Sequence, residues 1–416
     1  MTILLVFGGL ILLLLTGMPI FAALGLTATA ILLIFEGHIG PISDTVMAHL
    51  SKPVLMTIPL FAFMAQIMIK PKVIDDLYVM ANTVIGHIRG GLGVATVLSC
   101  TIFAAISGSS VATALSIGSS AIPQMKRYGY PEREALGVIA AGGTLGILIP
   151  PSAPMILYAI VSDASIGALF LAGILPGLML AIMFSIYCMW NGGTREHTSW
   201  SGWGAVMLAL RKSIWAVLTP PIIMGGIYAG VFTASEAAAA GCLYALLVAA
   251  LAYRTLTPRM IWDCAYATMR TSMMVSMIIA GAAMLGHAIT IIRLPVGVTE
   301  AVAALGLSLL AFILVVMALI FVMGMFFDSI AIILITTPIL LPTMHALDID
   351  LVWYGVLLII NLELAMITPP VGFNLFVIKG ITDAPRAPQP LTGFMTDLRA
   401  CRTALAKPPR VTGCLG

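Results

Sequence analysis

Two adjacent prolines at the end of a glycine-rich apolar run are the first residues whose positions imply chemistry. The run reads GGTLGILIPPSAP (residues 142–154) and contains Pro150 and Pro151. Proline has no N–H, so within a helix Pro150 leaves the carbonyl of Gly146 without a donor, and Pro151 does the same to Ile147. In lipid such a carbonyl must find another partner. A bound cation is one candidate partner, and a neighbouring helix is another.

A second run repeats this arrangement late in the chain. It reads NLELAMITPPVGFN (residues 361–374), and Pro369 and Pro370 remove the donors for the carbonyls of Ala365 and Met366. Hard cations prefer oxygen ligands, which carbonyls and hydroxyls provide. The two proline pairs therefore indicate two cation sites, with two simple helix kinks as the alternative.

Each proline pair follows an apolar stretch that polar residues interrupt. The first stretch covers residues 92–122, and Ser107-Gly108-Ser109-Ser110 lies in its middle. A helix needs about 20 apolar residues to cross a bilayer, and each half is shorter than that. We therefore predict a re-entrant helical hairpin whose tip is buried in protein. The serines would offer hydroxyl ligands, or they would only allow helices to approach closely.

The second interrupted stretch covers residues 306–341, with its break at GMFFDS from Gly324 to Ser329. Asp328 lies inside this apolar run, where an ionisable group is costly and is usually retained for function. An aspartate at this position could also cap the second arm of the hairpin. The two roles can coexist.

Composition places these stretches in a membrane. Of the 416 residues, 61% are hydrophobic and 9% are charged, whereas soluble domains carry about 25% charged residues. This predicts an all-α polytopic membrane protein with the lipid bilayer as a partner. The net charge of +3 gives no reason to expect nucleic acid. The six cysteines show no CxxC spacing, and no hydrolase or metalloprotease motif is present. We therefore expect neither an enzyme nor an organic cofactor.

The two halves of the chain are related by an internal repeat. The prolines that end the hairpins (Pro123 and Pro342), the hairpin interruptions and the proline pairs all recur at one offset of 219 residues. The loops after the hairpins differ in charge: Lys126, Arg127 and Arg133 follow the first, and His345, Asp348 and Asp350 follow the second. Since basic loops tend to stay in the cytoplasm, the repeats are predicted to be inverted. This design is typical of secondary transporters, whose site lies between the repeats near the membrane midplane.

The repeat predicts where the chain divides. The hydrophilic composition of the connector and the polar, proline-rich composition of the tail set the remaining boundaries, and the tail is expected to be disordered. The predicted division is a first repeat at 1–190 (hairpin 92–122, broken helix 134–161), a connector at 191–212, a second repeat at 213–381 (hairpin 306–341, broken helix 352–381) and a tail at 382–416.

Six stretches of the sequence carry a resemblance to a known family. The stretches are ISGSSVATALSIGSSAIP (106–123), GGTLGILIPPSAPMILY (142–158), LFLAGILPGL (169–178), GGIYAGVFTASEAAA (225–239), GMFFDSIAIILITTPILLP (324–342) and NLELAMITPPVGFNLFV (361–377). Through them, and over about residues 1–385, the chain resembles the large membrane subunit of tripartite ATP-independent periplasmic (TRAP) transporters.

The resemblance implies a function and partners. It implies a sodium-coupled elevator transporter in the bacterial inner membrane that imports organic acids such as C4-dicarboxylates or sialic acid. The form of residues 361–377 is similar to the dicarboxylate branch. Sodium would be the coupling ion. The implied partners are a small four-helix membrane subunit and a periplasmic substrate-binding protein.

The resemblance also implies sites. Mapped by motif, the first sodium site corresponds to Ser107, Ser109, Gly146, Ile149 and Pro151, and the second to Gly324, Ala365, Thr368 and Val371. Substrate candidates at the hairpin tips and the second break are Ser110, Asp328, Ser329 and Asn374. Helix N-termini at the tips would present N–H groups to a substrate carboxylate.

The tail departs from the family pattern. Family members usually continue with a further apolar span, whereas this sequence becomes polar near Pro385. We expect that this last span is missing. Two alternatives to a working TRAP permease therefore stay open: an inactive truncated permease, and a stand-alone sodium/anion symporter of similar design.

Overall fold

The computed structural model describes residues 2–69, 71–191, 200–304, 306, 308–368, 372, 374, 375 and 378. Every regular element in this part of the chain is helical. Six of its helices are long and apolar enough to cross a membrane, or seven if the bent pair Ile42–Leu50 and Pro53–Met68 forms one more span. The predicted all-α polytopic fold is confirmed.

The helices are numbered in chain order. They are α1 Thr2–Leu15, α2 Ile20–Phe35, α3 Pro41–Leu50, α4 Thr57–Met68, α5 Pro71–Ile85, α6 Gly91–Ser107, α7 Ser110–Arg127, α8 Glu132–Leu148, α9 Ala153–Ser162, α10 Ile166–Asn191, α11 Gly202–Tyr228, α12 Ala234–Leu247, α13 Pro258–Ile291, α14 Leu294–Ala304, α15 Leu309–Gly324, α16 Ser329–Ala346 and α17 Leu351–Ile367. A 3-10 turn (Pro53–Met56) precedes α4, and a π turn (Val248–Ala252) follows α12.

Short polar side chains start the helices around the predicted breaks. Ser109 caps α7 by accepting a hydrogen bond from the N–H of Ala112, and Ser152 caps α9 in the same way. Asp328 caps α16 through the N–H of Ile330 at 3.2 Å. The capping role predicted for Asp328 is therefore confirmed. These caps satisfy N–H groups that have no partner in the first turn of a helix.

The 219-residue repeat is visible in the helix bounds. Both ends of α7 and both ends of α8 map at this offset onto the ends of α16 and α17. The counterpart of α9 would follow Pro369-Pro370, where the structure describes only single residues. The tail at 382–416 lies outside the described residues.

The first hairpin folds back beside α8. Cys100 of α6 lies against Gly142, and Gly108, which follows α6, lies against Pro151, so α6 runs parallel to α8. Ala114 of α7 lies against Gly143, and Ser109 lies against Gly146, so α7 runs in the opposite direction. The tip of the hairpin therefore sits at the break between α8 and α9.

The two broken helices run antiparallel. The hydroxyl of Tyr158 in α9 donates to the carbonyl of Leu351 at the start of α17, at 2.7 Å. Ser110, whose backbone lies against Gly146 earlier in the first broken helix, donates to Asn374, which follows α17. A late residue of the first broken helix thus meets the start of the second, and an early one meets its end. The two repeats therefore run in opposite directions, as predicted.

The second hairpin packs differently from the first. Whereas α7 lies close along α8, α16 lies against α9, α13 and α14 and makes few contacts with α17. The glycines that let α7 approach α8, Gly143 and Gly146, are replaced at the repeat-equivalent positions of α17 by Leu362 and Ala365. Larger side chains at these positions keep the backbones apart.

The predicted element bounds need three corrections. Helix α11 begins at Gly202, so residues 202–212 of the predicted connector are helical. The apolar segment 205–210 extends the span, and the charged side chains of Arg211 and Lys212 remain exposed on the helix. Each hairpin also continues past its predicted end, to Arg127 and to Ala346.

Candidate functional site

The backbone of the first hairpin tip touches the backbone of the first break. Gly108 ends α6 with a φ of 60°, a left-handed conformation that glycine adopts without strain. A Cβ at this position would lie 2.4 Å from the carbonyl oxygen of Pro151. The carbonyl of Gly108 in turn accepts a hydrogen bond from the N–H of Ala153 at 3.3 Å. The tip and the break therefore hold each other in place through main-chain atoms.

Gly146 makes a second close approach at this junction. A Cβ on Gly146 would lie 2.4 Å from the carbonyl oxygen of Ser109. Gly146 is also the residue whose carbonyl loses its helical donor at Pro150. The structure thus brings together four of the five residues predicted for the first sodium site: Ser107, Ser109, Gly146 and Pro151.

The fifth residue, Ile149, lies at the end of α8. Its backbone leaves the helical conformation, with a φ of −81° and a ψ of 122°. Its side chain points toward Gly177 of α10, where a Cβ would lie 2.8 Å from Ile149 Cγ1. Only main-chain atoms of Ile149 can therefore contribute to a site at the break.

The hydroxyl groups of the tip form a small network that the sequence did not identify. Ser107 Oγ lies 2.9 Å from Thr113 Oγ1, and the Thr113 hydroxyl donates to the carbonyl of Ser109 at 2.8 Å. Thr113 is fully buried. Its position four residues after Ser109 in a hairpin arm is the signal that could have revealed it, since a hydroxyl bonds a carbonyl four residues back.

One of the carbonyls predicted to be free is paired. The hydroxyl of Ser152 donates to the carbonyl of Ile147, the group that Pro151 leaves without a donor. Ser152 is fully buried and caps α9 with the same oxygen. The Ile147 carbonyl thus has the new partner that the loss of its helical donor requires, and the residue after the proline pair supplies it locally. A cation at this break would have to use the carbonyl of Gly146 instead.

At the second break, the structure describes three of the four predicted sodium ligands. Gly324, at the end of α15, lies against Ala365 of α17, with a Cβ on the glycine 2.6 Å from Ala365 Cβ. The N–H of Thr368 donates to the carbonyl of Ala365 at 3.1 Å, so that carbonyl is paired as well. The Thr368 hydroxyl donates to the carbonyl of Leu364 at 2.6 Å. Val371 lies outside the described residues.

Two of the substrate candidates meet between the repeats. Ser110 Oγ donates to Asn374 Oδ1 at 3.2 Å, and both side chains are buried. Asn374 Nδ2 has no hydrogen-bond partner in the described part of the chain. A buried amide N–H without a partner is costly and is suited to donate to a ligand.

The other two substrate candidates lie at the second tip. Ser329 begins α16 and is buried, and Asp328 precedes it as the helix cap. The hydrogen bonds of the described residues do not connect either side chain with Ser110 or Asn374.

The ends of this assembly are polar. At the end where α7 is followed by α8, the ammonium group of Lys126 in the last turn of α7 forms an ion pair with the carboxylate of Glu132, the first residue of α8. The predicted ligand oxygens at both breaks belong to carbonyl and hydroxyl groups, and this donor set suits a hard cation. In the described residues no group of three His, Cys, Asp or Glu side chains could hold a metal ion.

These features define a class: a helical membrane protein with inverted repeats, each with a hairpin whose tip meets a broken helix, as in secondary transporters. The family model described as "Tripartite ATP-independent periplasmic transporter, DctM component" matches residues 7–397. The chain belongs to this family, which confirms the resemblance found in its sequence. The family and the membrane-crossing helices also confirm the predicted inner-membrane location.

Several curated relatives are similar over most of the chain. The C4-dicarboxylate TRAP transporter large permease protein DctM of Pseudomonas aeruginosa is 39% identical over 340 residues, covering 80% of this chain and 78% of the relative. The protein of the same description from Rhodobacter capsulatus is 36% identical over 400 residues, covering 92% and 91%. The ectoine TRAP transporter large permease protein TeaC of Halomonas elongata is 35% identical and covers 90% and 88%.

A solved structure supports the fold. The Alcanivorax borkumensis YdaH transporter, described as having an unusual topology, superimposes with a TM-score of 0.55 over 88% of this chain and 86% of that one. Its sequence is 12% identical, so this likeness concerns the fold alone.

Proposed function

We propose that this chain is the large permease subunit of a TRAP system that imports an organic anion, driven by sodium. The observation that carries the proposal is the junction at Gly146, where the hairpin-tip carbonyl of Ser109 lies against the backbone of the helix break. Carbonyl oxygens gathered at a break in an apolar helix are what a sodium ion requires. Family membership supports the transport role itself.

Sodium binds at both breaks in this proposal. The first site uses oxygens of Ser107, Ser109, Gly146, Ile149 and Pro151, and the second uses those of Gly324, Ala365, Thr368 and Val371. The carbonyls of Ala365 and Ile147 already accept hydrogen bonds. A carbonyl oxygen has two lone pairs, so Ala365 can bind an ion while it keeps that bond.

The substrate is an anion with a carboxylate or similar group. The names of the relatives mention C4-dicarboxylates, isethionate, ectoine and 2,3-diketo-L-gulonate, all of which carry a carboxylate or a sulfonate. The contact between Ser110 and Asn374 supplies donors for such a group, because Ser110 begins α7 and Asn374 Nδ2 is unpartnered. Free N–H groups and the helix dipole favour an anion at the start of a helix.

Two further subunits complete the system. One is a small membrane subunit and the other is a periplasmic substrate-binding protein. The isethionate TRAP transporter permease protein DctMQ of Oleidesulfovibrio alaskensis supports the first partner, since this chain matches only 60% of its length. The remaining length leaves room for a second membrane component within one chain.

Transport proceeds by an elevator movement in this proposal. The two hairpins and the two broken helices form the moving unit, and the other spans form the scaffold. Contacts between repeats within that unit support the assignment, since Tyr158 bonds Leu351 and Ser110 bonds Asn374.

Reconstitution tests the function. We expect that proteoliposomes with the chain, the small subunit and the binding protein accumulate the acid when an inward sodium gradient is applied. Omitting either partner should abolish uptake. Uptake by the chain alone would contradict the proposal and favour the stand-alone symporter. If sodium neither drives uptake nor raises the melting temperature of the purified chain, the inactive truncated permease would be favoured.

A further inference from the structure

A cavity of about 480 Å³ opens at one end of the protein, between α6, α8 and α10. Its volume falls within the range of ligand pockets, about 300–1,000 Å³. The inner wall includes Val97 of α6, Ala141 of α8 and Phe184 of α10. Val97 lies about 16 Å along the helix from Gly108 at the hairpin tip. The cavity is therefore separate from the proposed sodium sites and from the substrate contact.

The polarity of the cavity changes along the helices that line it. In α8, Arg133 and Glu134 lie in the first turn, and Ala141 lies about 10 Å further along the helix axis. In α10, Asn191 is the last residue, and Phe184 lies about 10 Å before it. Both helices thus place polar groups at the mouth and apolar groups on the inner wall. This pattern suits a ligand with one polar end and one apolar end.

The cavity is continuous with a lipid-facing surface. A second hollow of about 440 Å³ follows the outer face of α10 and shares Tyr187 and Asn191 with the first. The side chains of Met183, Ile186 and Trp190 are exposed there. Because α10 is one of the membrane-crossing helices and most of its apolar surface is exposed, this face meets lipid. Exposed tyrosine and tryptophan side chains are typical of the depth of the lipid headgroups.

The mouth of the cavity carries one cation and one anion. The Arg133 side chain is exposed and takes part in none of the ion pairs of the described residues. A guanidinium group binds a phosphate through two parallel hydrogen bonds. Glu134 lines the same cavity, and its carboxylate can accept hydrogen bonds from an ammonium group, which has three N–H donors. The two side chains together match a headgroup that contains both a phosphate and a primary ammonium group.

This pair of charges distinguishes among phospholipids. Phosphatidylglycerol offers a phosphate but no cation, so Glu134 would face an uncompensated negative charge. Phosphatidylcholine carries a quaternary ammonium group, which has no N–H to donate to a carboxylate. Phosphatidylethanolamine has both the phosphate and the N–H donors. A soluble phosphate compound would leave the apolar inner wall and the outer face of α10 without a partner.

We propose that this cavity binds one molecule of phosphatidylethanolamine, with its phosphate at Arg133, its ammonium group at Glu134 and an acyl chain along the outer face of α10. The basic loop after the first hairpin predicts that this end is cytoplasmic, so the lipid comes from the inner leaflet. Pockets with basic side chains between membrane helices on this side are suited to lipid headgroups. The site does not depend on the proposed transport function.

Native mass spectrometry of the purified full chain tests the lipid preference. The delipidated protein is mixed with equal amounts of phosphatidylethanolamine, phosphatidylcholine and phosphatidylglycerol that have the same acyl chains. We expect the first bound lipid to be phosphatidylethanolamine, in about tenfold excess over either competitor, in line with one charge-assisted hydrogen bond. Equal retention of the three lipids, or a preference for phosphatidylglycerol, would overturn the proposal.

The phosphate contact is tested with Arg133→Gln. This variant should retain about tenfold less phosphatidylethanolamine, because the headgroup loses its charge-assisted hydrogen bonds. Arg211→Gln is the matched control, since Arg211 is an exposed cation of α11 that does not line the cavity. It should retain as much lipid as the wild type. Equal losses in the two variants would reduce the effect to general surface charge and overturn the site.

The ammonium contact is tested with Glu134→Gln. The ratio of bound phosphatidylethanolamine to bound phosphatidylcholine should fall about tenfold, toward equal binding, and this ratio is insensitive to any loss of stability in the variant. Glu300→Gln, which changes an exposed carboxylate of α14 outside the cavity, should keep the wild-type ratio. An unchanged ratio in Glu134→Gln would overturn the assignment of the ammonium group.

A soluble headgroup distinguishes a lipid from a free phosphate compound. Phosphoethanolamine added at the same concentration as the lipid should not displace it, because it has no acyl chains to place against the apolar surface. Displacement of the lipid by phosphoethanolamine would overturn the assignment to a membrane lipid.

Discussion

Ser110 and Asn374 are 264 residues apart in sequence, yet Ser110 Oγ donates to Asn374 Oδ1 at 3.2 Å. The bond joins the first residue of α7 to the segment that follows the second proline pair. Because both side chains are buried, it replaces bonds to water that neither group can make. It is thus a polar link between the first hairpin and the second broken helix, at the place proposed for the substrate.

Removing this link should weaken substrate binding. Ser110→Ala leaves the Asn374 amide oxygen unpaired and should raise the KM for the acid about three- to tenfold, in line with one hydrogen bond. Ser119→Ala is the matched control, because Ser119 is exposed on the same helix and its hydroxyl bonds only the carbonyl of Ser116. Uptake kinetics in proteoliposomes measure both, and an equal effect of the two variants would contradict the assignment.

A charge at the second member of the pair should have a larger effect. Asn374→Asp places a carboxylate where the anionic substrate is proposed to bind, so repulsion and the loss of the Nδ2 donor act together. We expect uptake to fall at least tenfold, while Asn374→Ala causes a smaller loss. The same uptake kinetics compare the two variants. Faster uptake by Asn374→Asp than by Asn374→Ala would exclude an anion at this position.

A methyl group at the first junction should disrupt it. Gly146→Ala would place a Cβ 2.4 Å from the carbonyl oxygen of Ser109, so the hairpin tip must move, at a cost of about 1–3 kcal/mol. We expect a lower melting temperature and a loss of stabilisation by sodium. Gly137→Ala is the control, because Gly137 lies in the same helix and no atom lies within 4 Å of the added Cβ. It should keep the stabilisation by sodium and leave the melting temperature unchanged or raise it. Thermal unfolding in detergent, with and without sodium, compares them.

The hydroxyl of Ser109 should matter for sodium beyond its role as a cap. Ser109→Ala removes an N-cap, at about 1 kcal/mol, together with a proposed ligand oxygen. Ser308→Ala removes only the cap of α15, where Ser308 accepts from the N–H of Ala311 at 3.3 Å. We expect both variants to lose stability and only Ser109→Ala to need more sodium for half-maximal uptake. Equal sodium dependence in the two variants would remove Ser109 from the site.

Ser152 should be a structural residue rather than a ligand. Ser152→Ala leaves the buried carbonyl of Ile147 without its donor, at an expected cost of about 1–3 kcal/mol. Ser185→Ala is the control. The Ser185 hydroxyl donates to the carbonyl of Ala181, which also takes part in the backbone hydrogen bonding of α10, so this carbonyl keeps a donor in the variant. Thermal unfolding should show a clear loss for the first variant and little change for the second. A selective loss of sodium dependence without a loss of stability in Ser152→Ala would instead make it a ligand.

The breaks and hairpins could be predicted because their signals are local. Proline removes a donor wherever it stands, and glycine and serine interrupt an apolar run regardless of what packs around it. The 219-residue offset found in the sequence also holds in the structure, where it relates both ends of α7 to those of α16 and both ends of α8 to those of α17. The start of α11 was predicted less well, since polar side chains at 211 and 212 end an apolar run in sequence without ending a helix that exposes them.

The pairings at the site could not be predicted, because they depend on distances between residues far apart in sequence. The proline argument identified the Ile147 carbonyl but not its donor Ser152, and it did not identify Thr113, which ties Ser107 to Ser109.

The sequence by itself determined that this is a helical membrane protein of two related halves, each with a hairpin and a broken helix, because periodicity, composition and proline chemistry act over short distances. Only the tertiary structure decided that the halves meet at Ser110 and Asn374 and at Tyr158 and Leu351. The physical reason is that a buried polar group must be satisfied by whatever the fold brings within about 3 Å of it. Which group that is depends on how the two repeats pack against each other.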